Sequence, residues 1–139
     1  KEELFAEIGR RYRITDERGI IGESLAGLFI VETLLTAPDM FDYYIAMDPS
    51  LWWNDHYLVS NAKELLARLP EDQKRLWFAG SDTKDISKYT KELAGILAAG
   101  VYRQLAWFYS DEPKEEHSTI YRATKEKALI WLFNPGPGE

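Results

Sequence analysis

Apolar and polar residues alternate along this chain with two different periods, and the period switches several times. Leu4, Phe5, Ile8 and Tyr12 recur at helical spacing among charges, which predicts a helix over Lys1 to Tyr12. Arg13 to Arg18 is polar and reads as a connection. Gly19-Ile20-Ile21-Gly22 is a short apolar run between glycines, as expected of a buried strand. Leu25, Leu28, Phe29, Val31, Leu34 and Leu35 then fit a helix over Ser24 to Ala37, stopped by Pro38. Tyr43 to Met47 predicts a second strand, closing on Asp48-Pro49-Ser50. Asn54 or Asp55 can cap a helix through Leu58, Ala62, Leu65 and Leu66 to Pro70. Lys74 to Ala79 predicts a third strand. Asp85 then caps a helix carrying Ile86, Tyr89, Leu93, Ile96 and Leu97 and ending near Gly100. Val101 to Tyr109 reads as a fourth strand and Thr119 to Phe133 as a final helix. The Gly- and Pro-rich tail from Asn134 to Glu139 is expected to fray.

The order is a helix, then four strands alternating with helices. Strict alternation implies an α/β fold with a parallel sheet and right-handed crossovers. In open parallel sheets the working groups gather beyond the carboxyl ends of the strands. The loops after each predicted strand are therefore where chemistry is expected.

Composition narrows the partners. The 139 residues are 45% hydrophobic and 29% charged, enough apolar content for a packed core. The formal net charge of −6 argues against nucleic acid or an anionic membrane surface as partner, since both require clustered Lys and Arg. There are no cysteines, which removes disulfides, thiolate metal sites and a cysteine nucleophile. The apolar stretches are too short to span a bilayer. No leader-like segment is visible, although the chain opens on Lys1 rather than Met. A soluble chain is expected, with its compartment open between cytoplasm and periplasm.

Gly22-Glu23-Ser24-Leu25-Ala26-Gly27 falls between a predicted strand and a predicted helix, the setting of a nucleophile elbow. Such a turn is sharp enough that the positions two before and two after the serine must be small. Gly22 and Ala26 are small, although the later position usually holds glycine. A helix beginning after Ser24 would direct its amide groups and positive dipole end at a developing oxyanion, with the Leu25 N–H as one donor. The bland alternative makes Ser24 a helix cap after a glycine-bounded strand.

A serine nucleophile needs a base, and histidine is the side chain suited to neutral pH. His117 follows the fourth strand and opens the last helix, the expected place in the chain order Ser, acid, His. His56, early in a helix, reads as a surface residue. The acid should follow the intervening strand, where Gly80-Ser81-Asp82-Thr83-Lys84-Asp85 supplies two carboxylates. Asp82 is preferred because Asp85 is taken as the helix cap. Asp48, after the preceding strand, is a third option. Each of these acids also has a plain reading as a turn or capping residue.

Gly22-Glu23-Ser24-Leu25-Ala26-Gly27-Leu28-Phe29, Pro38-Asp39-Met40-Phe41, Asp48-Pro49-Ser50-Leu51-Trp52-Trp53-Asn54 and Glu116-His117-Ser118-Thr119-Ile120 together resemble the putative-esterase family of α/β hydrolases, in particular its enterobactin-esterase-like members. The resemblance runs from about Arg11 to Phe133. It implies a Ser–His hydrolase of carboxylic esters without a cofactor, acting on a small-molecule ester. The acid is inconsistent among such relatives, some of which work as a Ser–His dyad, so the resemblance does not settle on Asp82. Trp52 and Trp53 would wall an acyl or aryl pocket, or pack under a loop. Family members also carry several strands before the elbow, one of which supplies the second oxyanion donor. Residues 1–139 are thus expected to form the C-terminal half of an α/β-hydrolase domain, which calls for its N-terminal half or for self-association. A non-catalytic fragment of the same fold and an acyltransferase using the same residues are the competing readings.

Overall fold

The computed structural model describes residues 2–134; the expected fraying tail from residue 135 onward lies outside the described residues. The alternation predicted from the sequence is present. Helix α1 (Glu2–Arg11) precedes strand β1 (Gly19–Glu23), helix α2 (Leu25–Thr36), a 3-10 turn over Pro38–Met40, and strand β2 (Tyr43–Met47). Helix α3 (Trp53–Leu66), strand β3 (Lys74–Ser81), helix α4 (Lys84–Ala99), strand β4 (Leu105–Glu112) and helix α5 (Ile120–Phe133) follow. The four strands form one sheet in the order β1-β2-β3-β4, every neighbouring pair parallel.

Helices cover both faces of the sheet, so its two central strands are apolar on both sides rather than alternating. Tyr44 and Ala46 of β2 and Leu76 and Phe78 of β3 face one way, onto Ile30 and Leu34 of α2, Leu58 and Ala62 of α3, and Leu93 and Leu97 of α4. Ile45, Met47, Trp77 and Ala79 face the other way, onto Ile120, Ala128 and Leu132 of α5. Helix α1 lies to the side, with Phe5 edge-on to Phe41 at 5.9 Å and the Arg18 guanidinium over the Phe5 ring. No helix among the described residues is long and apolar enough to cross a membrane.

Four local expectations are corrected. The run Gly19-Ile20-Ile21-Gly22 does form β1, but at the edge of the sheet rather than buried, with Ile21 exposed and Ile20 half-buried. The fourth strand begins at Leu105, not Val101, because the chain turns at 101–104 and the Gln104 carbonyl is taken by the Lys74 N–H. Asp85 does not cap α4: Thr83 holds that position and Asp85 sits in the first turn, where a carboxylate favours the helix dipole. Nor does Asn54 or Asp55 cap α3. Asn54, Asp55 and His56 instead take up three consecutive left-handed conformations, with φ of 51°, 52° and 49°. Asn, Asp and His are the non-glycine residues that best tolerate this region. The run makes a reversed turn between the Trp52-Trp53 pair and the rest of α3, and the His56 ring then stacks on Tyr89 of α4 at 5.0 Å.

Candidate active site

The four strands run in parallel, so the loops after β1, β2, β3 and β4 all open at one end of the sheet. Ser24 follows β1 directly and precedes α2, with φ 60° and ψ −121°, a conformation that non-glycine residues rarely adopt. Its N–H bonds the Met47 carbonyl at 3.0 Å, and its carbonyl accepts from Leu28 and Ser50. These bonds hold the turn. Its tightness explains the small neighbours: a Cβ on Gly22 would sit 2.8 Å from the Ala26 Cβ. A Cβ on Gly27 would lie 3.0 Å from the Pro49 Cα, so α2 also rests against the loop after β2. Leu25 is the first residue of α2, and its N–H has no carbonyl one turn back to bond within the helix.

The loop from β4 to α5 carries His117 back over this turn. Its Nε2 lies 3.1 Å from the Ser24 Oγ. The loop is tied by Glu115 N–H to the Glu112 carbonyl, by Glu116 N–H to the Thr119 hydroxyl at 3.0 Å, and by the Asp82 N–H to the Glu115 carbonyl at 3.1 Å. At its base, Glu112 accepts from Lys127 and Ser110, each at 2.6 Å. Burial pushes the Glu112 carboxyl up, but these two hydrogen bonds outweigh it and hold the group below the ordinary glutamate range.

The carboxylate on the far side of the imidazole belongs to Asp48. Its Oδ2 is 2.9 Å from His117 Nδ1, and the side chain is fully buried. Asp82, preferred from the sequence, is exposed and contributes its backbone N–H to the histidine loop rather than its carboxylate. The physical reason lies in strand length. Strand β3 runs on to Ser81, carrying Asp82 beyond the imidazole, whereas β2 stops at Met47 opposite Ala79 and turns at Asp48 with φ 44°. Asp85 is likewise exposed on α4.

Two hydroxyls that the sequence did not single out complete the surroundings. The Ser81 N–H and Oγ–H donate to the two Asp48 carboxylate oxygens at 2.6 and 2.7 Å. The Ser50 Oγ is 3.4 Å from the Ser24 Oγ. Trp52 and Trp53 leave the same loop and are partly exposed, their rings edge-on at 5.9 Å. Trp53 lines a groove of about 140 Å³ with Leu28, Glu32, Tyr57 and Leu58. Among the described residues, no group of three or more His, Asp and Glu is arranged to hold a metal ion.

A carboxylate can only accept at His117 Nδ1, so that nitrogen carries the proton and Nε2 is left to accept from the Ser24 hydroxyl. The Ser24 hydroxyl, both imidazole nitrogens and the Asp48 carboxylate thus lie in one hydrogen-bonded line. Residues 1–131 match the sequence pattern described as "Putative esterase". The chain belongs to that esterase family. It is 41% identical over 150 aligned residues to the ferri-bacillibactin esterase BesA of Bacillus subtilis, covering 99% of this chain and 50% of that protein. Among solved structures it resembles the siderophore hydrolase EstB of Aspergillus nidulans, with TM-score 0.81 and 21% identity over 98% of this chain and 56% of that one. The enterobactin esterase FES of Shigella flexneri is similar in fold as well, with TM-score 0.78 and 18% identity over 96% of this chain and 35% of that one. The chain thus spans from 35% to 56% of the length of these three relatives.

Proposed function

We propose that the protein carrying this chain hydrolyses carboxylic esters through an acyl-enzyme on Ser24, with His117 as general base and Asp48 as the acid that orients it. The observation carrying this reading is the continuous line of hydrogen bonds from Ser24 Oγ through both imidazole nitrogens to Asp48 Oδ2, at 3.1 and 2.9 Å. As Ser24 Oγ attacks the ester carbonyl, its proton passes to His117 Nε2, and the buried Asp48 stabilises the imidazolium. The tetrahedral oxyanion takes a hydrogen bond from the Leu25 N–H at the start of α2. His117 then returns the proton to the departing alcohol, and a water activated by the same base releases the acid.

Siderophore esters are the substrate class we favour. Support comes from the 41% identity to a ferri-bacillibactin esterase and from family membership over nearly the whole chain. Trp52 and Trp53, two and three residues beyond Ser50, would supply flat apolar faces for aryl groups of such a substrate. The test is chromatographic. The full-length protein should convert a ferric triester siderophore to its ring-opened acid, and Ser24→Ala should leave only roughly 10³–10⁴ over the uncatalysed rate. Equal conversion by the variant would overturn the reading.

A further inference from the structure

Asp48 is wholly buried, and a buried carboxylate is costly unless its lone pairs are engaged. Oδ1 accepts from the Ser81 N–H at 2.6 Å. Oδ2 accepts from the Ser81 hydroxyl at 2.7 Å and from His117 Nδ1 at 2.9 Å. Ser81 thus grips both oxygens of the carboxylate, one through its backbone and one through its side chain, and is itself 1% exposed.

The grip has a definite orientation. Ser81 Oγ also lies 3.0 Å from Thr83 Oγ1 and 3.3 Å from the Thr83 N–H. A hydroxyl has one proton, and a charged oxygen at 2.7 Å is its stronger acceptor. With that proton committed to Asp48, Thr83 is left to donate to Ser81 Oγ. The result is a chain of donors running from Thr83 through Ser81 into Asp48 Oδ2, each polarising the next. Two donors on Oδ1 and Oδ2 also fix the rotation of the carboxylate, and with it the direction in which Oδ2 meets the imidazole.

We propose that Ser81 is a positioning residue for the proposed ester hydrolysis: it fixes the Asp48 carboxylate so that His117 presents Nε2 to Ser24. The proposal rests on the Ser24–His117–Asp48 reading. It predicts that hydroxyl loss at Ser81 impairs acylation of Ser24 without touching substrate contacts.

The experiment measures the rate of Ser24 labelling by a fluorophosphonate in the full-length protein, together with the low-field proton resonance of His117 Nδ1–H. Ser81→Ala keeps the N–H and removes the hydroxyl. Labelling should slow about 10-fold or more, the scale of a hydrogen bond to a charged group, and the resonance should move upfield. Thr83→Val removes one donor to Ser81 at an exposed site and should slow labelling about 3-fold. If the unaltered protein is not labelled at Ser24, the hydrolase reading itself fails and takes the proposal with it. If it is labelled, but Ser81→Ala reacts at the same rate with an unmoved resonance, the positioning role alone is overturned. Should Ser81→Ala not fold, Thr83→Val decides: slowed labelling supports the role, and an unchanged rate overturns it.

Discussion

At the scale of single residues, the decisive contrast is between Asp82, which the sequence favours, and Asp48, which the structure sets against the imidazole. Asp48 and Asp82 both follow predicted strands and both precede His117 in the chain, so chain order cannot separate them. What separates them is register: Met47 pairs with Ala79, which puts the end of β2 two residues short of the end of β3. Asp48→Asn should therefore lower kcat by several orders of magnitude, up to about 10⁴, by allowing the wrong imidazole tautomer. Asp82→Asn, which keeps the backbone N–H that tethers the histidine loop, should stay within about 3-fold of the parent, as an exposed side chain with no part in the line. Steady-state kinetics on an activated ester measures both. Ser24 and His117 were legible because each is marked by local context, one by small neighbours at a strand-helix junction and the other by its place after the last strand. Ser81 and Ser50 carry no such mark. Their hydroxyls meet Asp48 and Ser24 across more than twenty residues of chain, and a serine at a strand end or in a loop is otherwise unremarked.

Among the elements, periodicity was informative wherever one period dominated. The apolar run at β2 is buried between helices, and the helical spacing in α4 matches the face it buries. Strand β1, by contrast, lies at the sheet edge with Ile21 exposed, and Leu25 and Phe29 of α2 face outward while Val31, Leu34 and Leu35 are buried. It was less informative at element ends. The start of β4 and the caps of α3 and α4 depend on turn conformations, and at α3 on a left-handed run that apolar spacing does not report. The tightest junction is the elbow between β1 and α2. Gly22→Ala would drive a methyl to 2.8 Å from the Ala26 Cβ and 3.1 Å from the Ile30 Cδ1, with the helix unable to retreat because Gly27 already rests on Pro49. The expected cost is about 1–3 kcal/mol, read as a lowered midpoint in thermal unfolding. An unchanged midpoint would mean that the elbow is looser than the structure has it.

For the whole molecule, the sheet order leaves β1 at an edge, short and apolar. Ile21, Leu25 and Phe29 are exposed beside it, as are Leu129, Ile130 and Phe133 on α5. A groove of about 320 Å³ runs between them, lined by Ile20, Ile21, Leu129, Leu132 and Phe133. An edge without Lys or Pro invites pairing with another strand, and exposed apolar surface beside it favours burial by protein. Residues 1–139 expressed by themselves should therefore self-associate, as measured by light scattering; a stable monomer would contradict this. Labelling of the full-length protein by a fluorophosphonate, mapped by mass spectrometry, tests whether Ser24, His117 and Asp48 work as one line. A single label on Ser24 is expected, slowed by orders of magnitude in His117→Ala and Asp48→Asn and nearly unchanged in Asp82→Asn. No label, a label on another serine, or a Ser24 label indifferent to His117 and Asp48 would contradict it.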